Sequence, residues 1–111
     1  MTVSRGDVIA VDFYYTDRDR MKRRPALVLS SDIYHGGREE MLLAGITSNV
    51  HRSLPGDTVL QDWEGADLPR PSVVTAIVQT AKQSAALRVV GQLSDRDLRT
   101  VEKSLRLALG L

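Results

Sequence analysis

Asp7-Val8-Ile9-Ala10-Val11-Asp12-Phe13 is the stretch whose period decides the fold class. Ile9, Val11 and Phe13 fall on one face of an extended chain, which is the spacing of a half-buried β-strand and not of a helix. Outward from it the same signal recurs. Residues 25–30, Pro-Ala-Leu-Val-Leu-Ser, form a second strand-like run, with Pro25 expected at its first position because it has no amide hydrogen for a ladder. Residues 41–47 are a third, nearly continuous apolar run, and 58–60 a short fourth. Residues 72–78, Ser-Val-Val-Thr-Ala-Ile-Val, are rich in β-branched side chains and predict a fifth strand; 87–93 predict a sixth. The polar, charge-dense residues 15–24 are expected as a loop. Gly36-Gly37, Pro55-Gly56, Pro69 and Pro71 punctuate the remainder.

The end of the chain changes period. Ser94-Asp95-Arg96-Asp97 has the layout of a capping box, and Leu93 with Leu98 the spacing of a hydrophobic staple. Leu98, Val101, Leu105 and Ala108/Leu109 then make one apolar helical stripe, which Gly110 stops. The expectation is a mainly β, β-rich α+β domain over residues 1–111: a small barrel or sandwich followed by one helix.

Composition narrows the function. With 42% hydrophobic and 26% charged residues the chain has the make-up of a folded domain and not of a disordered tail. Its net charge of +1 makes no global field for a nucleic acid, so any such attraction must be local. The absence of cysteine excludes disulfides and thiolate zinc sites. His35 and His51 lie far apart without acidic ligands in metal spacing, so neither a metal nor another cofactor is expected. No apolar run approaches a membrane span, and the N-terminus lacks a signal-peptide layout. The expected location is the cytoplasm, with no membrane partner.

The densest chemistry is Arg18-Asp19-Arg20-Met21-Lys22-Arg23-Arg24. Such a run is most often a solvated surface, yet exposed cations are also what tracking a phosphate backbone requires. Arg24 stands apart because Pro25 pushes it into an extended conformation, and a guanidinium held there can clamp a phosphate with two parallel bonds. Ile46-Thr47-Ser48-Asn49 offers adjacent hydroxyls where a strand opens into a loop, although Ser and Thr commonly satisfy turn backbones themselves. His51 and Arg52 follow in that loop, within reach of a bound strand. Trp63, in an acidic segment, reads as a barrel lid or dimer contact; Tyr14 and Tyr15 are the better base-stacking candidates.

Taken together the segments resemble the MazF/PemK family of type II toxin–antitoxin toxins. The resemblance runs through residues 5–13, through Arg23-Arg24-Pro25-Ala26-Leu27-Val28-Leu29-Ser30, and through Ile46-Thr47-Ser48. Pro71-Ser72-Val73-Val74, Gly91-Gln92-Leu93-Ser94-Asp95 and the closing helix continue it in order. It implies an SH3-like barrel with a terminal helix, usually a homodimer, that cuts single-stranded RNA without a metal or other cofactor. It implies Arg24 and Thr47 as the catalytic pair, with 2′-OH attack on phosphorus and a 2′,3′-cyclic phosphate product. Arg18, Arg20, Lys22, Arg23, Ser48, His51, Arg52 and Gln79 are the candidate RNA-binding residues. The implied partners are a cognate acidic antitoxin and, together with it, operator DNA. One departure stands out: many relatives carry an Asp-Gln pair where this chain has Ala76-Ile77, leaving only Thr75, Gln79 and Thr80 as polar groups in that stretch. Two other functions stay open at this point, a non-catalytic gyrase-binding toxin of the same fold and a plain nucleic-acid-binding module.

Overall fold

The computed structural model describes residues 2–15 and 19–111. Arg18, one of the candidate RNA contacts, lies outside them. The described chain runs β1 (Asp7–Tyr15), β2 (Arg20–Val28), α1 (Asp32–Gly37), β3 (Glu40–Thr47), β4 (Thr58–Val59), β5 (Val73–Lys82), β6 (Arg88–Gln92) and α2 (Asp95–Leu109), with a single 3-10 turn at Gln83–Ala85. The strands form one antiparallel sheet in the order β4-β5-β3-β2-β1-β6.

The sheet is apolar on both faces at its centre, which is why Ala26-Leu27-Val28 reads as an unbroken apolar run. Alternation sends Val8, Leu27, Ala44, Ile46 and Val74 to one side, where residues 60–68 and α2 cover them through Leu60, Ala66, Leu68 and Val101. Ile9, Val11, Phe13, Ala26, Val28 and Leu43 go to the other side, enclosed as the sheet curls on itself. Gln79 on β5 helps to close the curl: its amide oxygen accepts from Tyr14 N at 3.5 Å and its amide nitrogen donates to Tyr14 O at 3.1 Å. The result is the β-rich half-barrel with a terminal helix that the periodicity predicts.

Three local expectations are corrected. Tyr15 and residues 20–24 are strand and not loop: β1 continues to Tyr15 and β2 begins at Arg20, paired from Tyr15↔Arg20 through Val8↔Leu27. The hairpin tolerates so polar a β2 because its residues alternate between a face turned to the barrel and one turned to solvent. Pro25 is accordingly inside β2 and not at its start. It is accepted there because the β2–β3 pairing begins only at Ala26, so up to Pro25 that side of the strand needs no amide donor. The third correction is α1, which no periodicity announced. It is six residues long and contains Gly36 and Gly37, so its signal is only the Ser31 cap, whose side chain accepts from Tyr34 N.

At α2 the Ser94 oxygen accepts from Asp97 N at 3.3 Å, as the capping box predicts, but the reciprocal half is absent. The Asp97 carboxylate accepts instead from Gln61 N at 3.1 Å and Asp62 N at 2.8 Å, tying the helix to the incoming segment. Leu93 and Leu98 both join the α2-side core. Gly110 ends the helix in a left-handed conformation at φ 74°. Trp63 packs half-buried against the same core.

Candidate functional site

The basic run is sorted by the β1–β2 register. Lys22 stands opposite Phe13 and Arg24 opposite Val11, so both share the barrel-side face; Arg23 stands opposite Asp12 on the solvent side. Lys22 and Arg24 therefore enter a cleft of about 530 Å³ at the mouth of the curled sheet. Arg23 leaves it and makes a 3.4 Å ion pair with Asp12.

The end of β3 supplies a second wall. Ile46, Thr47, Ser48 and Asn49 line the cleft, followed by Arg52. Thr47 Oγ1 accepts from Asn49 N at 3.2 Å. That bond fixes the oxygen while leaving the hydroxyl hydrogen to donate elsewhere. Arg24 donates from Nη1 to its neighbour's carbonyl, Arg23 O, at 3.0 Å, which leaves four of a guanidinium's five N–H donors for other partners.

A bulge in β5 aims this wall. The register passes from Ala44↔Val78 to Ile46↔Val74, so Thr75, Ala76 and Ile77 stand against Gly45 alone. Thr75 Oγ1 donates to Gly45 O at 2.8 Å and accepts from Ile77 N at 3.2 Å, stitching the bulge together. Gly45 has no room for a side chain, since a Cβ there would lie 2.9 Å from Phe13 Cε1. Tyr15 donates its hydroxyl to Ile46 O at 3.2 Å, holding the same segment from the other side.

The third wall is the segment before β5. Leu68, Pro69, Arg70 and Ser72 complete the lining. Four cations therefore face one space, Lys22, Arg24, Arg52 and Arg70, and no carboxylate lines it among the described residues. The positive field that a net charge of +1 conceals is concentrated here. Among the described residues no three His, Asp or Glu side chains gather as a metal ligand set.

Of the residues expected from the sequence, the cleft unites Arg24, Thr47, Lys22, Ser48 and Arg52. It does not include Arg20, which is exposed at the start of β2, or Arg23. His51 is exposed outside the lining, with its amide bonded to Asn49 Oδ1 at 3.3 Å. Gln79 is occupied by Tyr14, as described above. Tyr15 lines the cleft but is no open stacking platform: its ring is buried, 4.9 Å from that of Phe13. Tyr14 points to the opposite face. Arg70 was missed, although it precedes Pro71 just as Arg24 precedes Pro25, and the same conformational reasoning applied to it would have found it.

A family model for the PemK-like, MazF-like toxins of type II toxin–antitoxin systems matches residues 4–109. The chain belongs to the PemK/MazF toxin family. Its relatives include Endoribonuclease MazF6 of Mycobacterium tuberculosis and Endoribonuclease MazF2 of Mycobacterium bovis, each 35% identical over 116 residues and covering 100% of both chains. Among solved structures, MazF from Deinococcus radiodurans superposes with a TM-score of 0.80 at 24% identity, covering 100% of this chain and 99% of the other. An endoribonuclease in complex with its cognate antitoxin, from a mycobacterial species, superposes with a TM-score of 0.81 at 18% identity, covering 99% and 97%. These likenesses bear on the fold. Within this PemK/MazF barrel the Ala76-Ile77 departure falls on the β5 bulge, with Ile77 itself in the cleft wall. Of the polar groups left nearby, Thr75 is engaged in the bulge and Gln79 in closing the barrel, while Thr80 is exposed opposite Leu42. No helix of the described residues is long and apolar enough to cross a membrane.

Proposed function

We propose that this PemK/MazF toxin cleaves single-stranded RNA in the cleft between β2, the end of β3 and the 68–72 segment, with Arg24 and Thr47 as its catalytic residues. The observation that carries the reading is the convergence of Arg24 and Thr47, from two strands, on one cationic cleft without a carboxylate in its described wall. A phosphodiester seated there meets a guanidinium fork and a hydroxyl donor together. Attack by the ribose 2′-oxygen forms a bond to phosphorus as the bond to the 5′-oxygen breaks. Arg24 stabilises the charge that builds on the non-bridging oxygens. Thr47, its oxygen held by Asn49 N, donates its hydroxyl hydrogen to one of those oxygens and orients the group. The products are a 2′,3′-cyclic phosphate and a 5′-hydroxyl: the attacking 2′-OH gives up its proton to solvent and the departing 5′-oxygen takes one up.

Lys22, Ser48 and Arg52 contact the flanking strand in this reading, and no metal or other cofactor takes part. An acidic antitoxin segment is the expected competitor for the same cleft, because its carboxylates match the four cations. A homodimer and operator DNA, bound with the antitoxin, complete the proposed partners, in the cytoplasm. The dimer does not rest on the inner stripe of α2, since Leu98, Val101 and Leu105 pack against their own barrel. Leu107, Leu109 and Leu111 at the helix end remain exposed and supply apolar surface for a second copy.

The test is incubation of the pure protein with single-stranded RNA in EDTA, with both product ends mapped. Cleavage should persist and leave 5′-hydroxyl ends, and a substrate with 2′-deoxyribose at the scissile position should bind uncut. Abolition by the chelator with rescue by magnesium, or cutting of the deoxy substrate, would overturn the mechanism. Intact RNA together with inhibited gyrase supercoiling would support the gyrase-binding alternative instead.

A further inference from the structure

The four cations of the cleft differ in what holds them. Arg52 donates from Nε to Asp57 Oδ2 at 2.8 Å, and that carboxylate, whose side chain is only 5% exposed, also accepts Leu54 N at 3.2 Å. Arg52 is thus matched by a buried anion and pins the 52–57 turn. Arg70 is different. Its guanidinium has neither a salt bridge nor a hydrogen bond among the described residues. Its backbone, in contrast, is held on both sides. Pro69 and Pro71 flank it, Pro71 biases it to an extended conformation, and Ser72 Oγ donates to its carbonyl at 2.8 Å. A guanidinium on a braced backbone, its donors unoccupied and three other cations facing the same cleft, has no compensating anion among the described residues.

We infer that Arg70 is a second phosphate ligand of the cleft. It holds a phosphate neighbouring the scissile one, so that the cleft takes single-stranded RNA through at least two phosphodiesters. Arg24 reaches in from β2 and Arg70 from the segment before β5, so a strand lying in the cleft is gripped from two separate elements. The inference deepens the RNA-cleaving reading above and rests on it. It also divides the arginines of the loops: Arg70 has only the substrate to bind, whereas Arg52, besides contacting the flanking strand, keeps its own turn in place through Asp57.

The experiment combines Arg70→Ala, Arg70→Lys and Arg52→Ala with short RNAs that carry 2′-deoxyribose at the scissile position. In these RNAs each phosphate is replaced in turn by a neutral methylphosphonate. Arg70→Ala should weaken binding of the unmodified oligonucleotide roughly ten-fold at low salt and lower the slope of log affinity against log salt by about 0.7, one phosphate contact on a single strand. One particular methylphosphonate, away from the scissile position, should weaken the wild type by a similar factor and Arg70→Ala hardly at all. Arg70→Lys should restore the salt slope but only part of the affinity, because it keeps the charge and loses the fork. In cleavage assays the loss should appear in KM, with kcat falling by less than about three-fold. The melting temperature should stay at the wild-type value for Arg70→Ala and fall for Arg52→Ala, which strands Asp57. Wild-type protein that cleaves RNA while Arg70→Ala binds every oligonucleotide as tightly would overturn this inference and leave the cleavage reading intact. Losses that simply add to every methylphosphonate would overturn it as well. A wild type that neither binds nor cuts RNA takes both readings down.

Discussion

Arg23 and Arg24 are neighbours in the chain with opposite surroundings, and replacing each by alanine should have very unequal consequences. Arg24 is half-buried in the cleft, with one donor on Arg23 O and four left for a phosphate. Removing one well-placed donor to a transition-state oxyanion lowers a rate by roughly 100- to 1,000-fold, about 2.7–4 kcal/mol. Lys22 lies two residues away on the same face and supplies residual positive charge, so the lower end of that range applies: Arg24→Ala should slow single-turnover cleavage by about 100-fold. Arg24→Lys should regain part of this, since it restores the charge without the planar fork. Affinity for an RNA with 2′-deoxyribose at the cut site should fall much less than the rate.

Arg23 instead points to solvent. Its 3.4 Å pair with Asp12 joins side chains that are 68% and 54% exposed, a setting in which an ion pair contributes at most about 1 kcal/mol and often nothing measurable. Arg23→Ala should leave the single-turnover rate within about two-fold of wild type. The assay is stopped-flow or quenched cleavage of a labelled oligonucleotide at saturating protein and fixed salt, with melting curves to show that both variants are folded. Equal rate losses for Arg23→Ala and Arg24→Ala would refute the reasoning, because the hairpin register would then not sort the two side chains.

Gly45→Ala should destabilise the fold by about 1–3 kcal/mol, because its Cβ would press on the buried Phe13 ring. It should also slow cleavage by displacing Thr47, whereas Gly36→Ala, with open space around it, should do neither; thermal unfolding and single-turnover rates of the two variants decide this. Asp97→Ala removes the acceptor for the Gln61 and Asp62 amides, and a loss of about 2–4 kcal/mol in urea unfolding is expected. Bonds from Arg96 and Ser94 lower the Asp62 carboxyl from its ordinary 3.8 to about 2. A depressed carboxyl contributes stability above its unfolded value, and that contribution is lost as the pH falls through the folded one. The thermal midpoint of the wild type should therefore converge on that of Asp62→Asn between about pH 4 and pH 2; curves that run parallel through this window would contradict the assignment.

What the sequence determined by itself is whatever depends on neighbours along the chain. Alternation in 7–13 specifies a strand because successive side chains of an extended backbone must take opposite faces. The Ser94 cap, the Leu93–Leu98 staple and the left-handed Gly110 are contacts within one helical turn, so they too could be read locally. Pro25 marked Arg24 by a clash between adjacent residues. The tertiary structure alone decided which cations share a space. Charge drew the 18–24 run out as a loop, but pairing with β1 makes residues 20–24 a strand, and a strand's two-residue period sends Lys22 and Arg24 inward while Arg23 goes out. Gln79 resembles a ligand by composition, yet its amide matches the backbone of Tyr14, 65 residues distant. Arg70 meets Arg24 only because the β5 bulge and the curl of the sheet bring two distant segments to one mouth. Such convergence depends on how the sheet closes, and closure is a property of all its strands together and of no single stretch of chain.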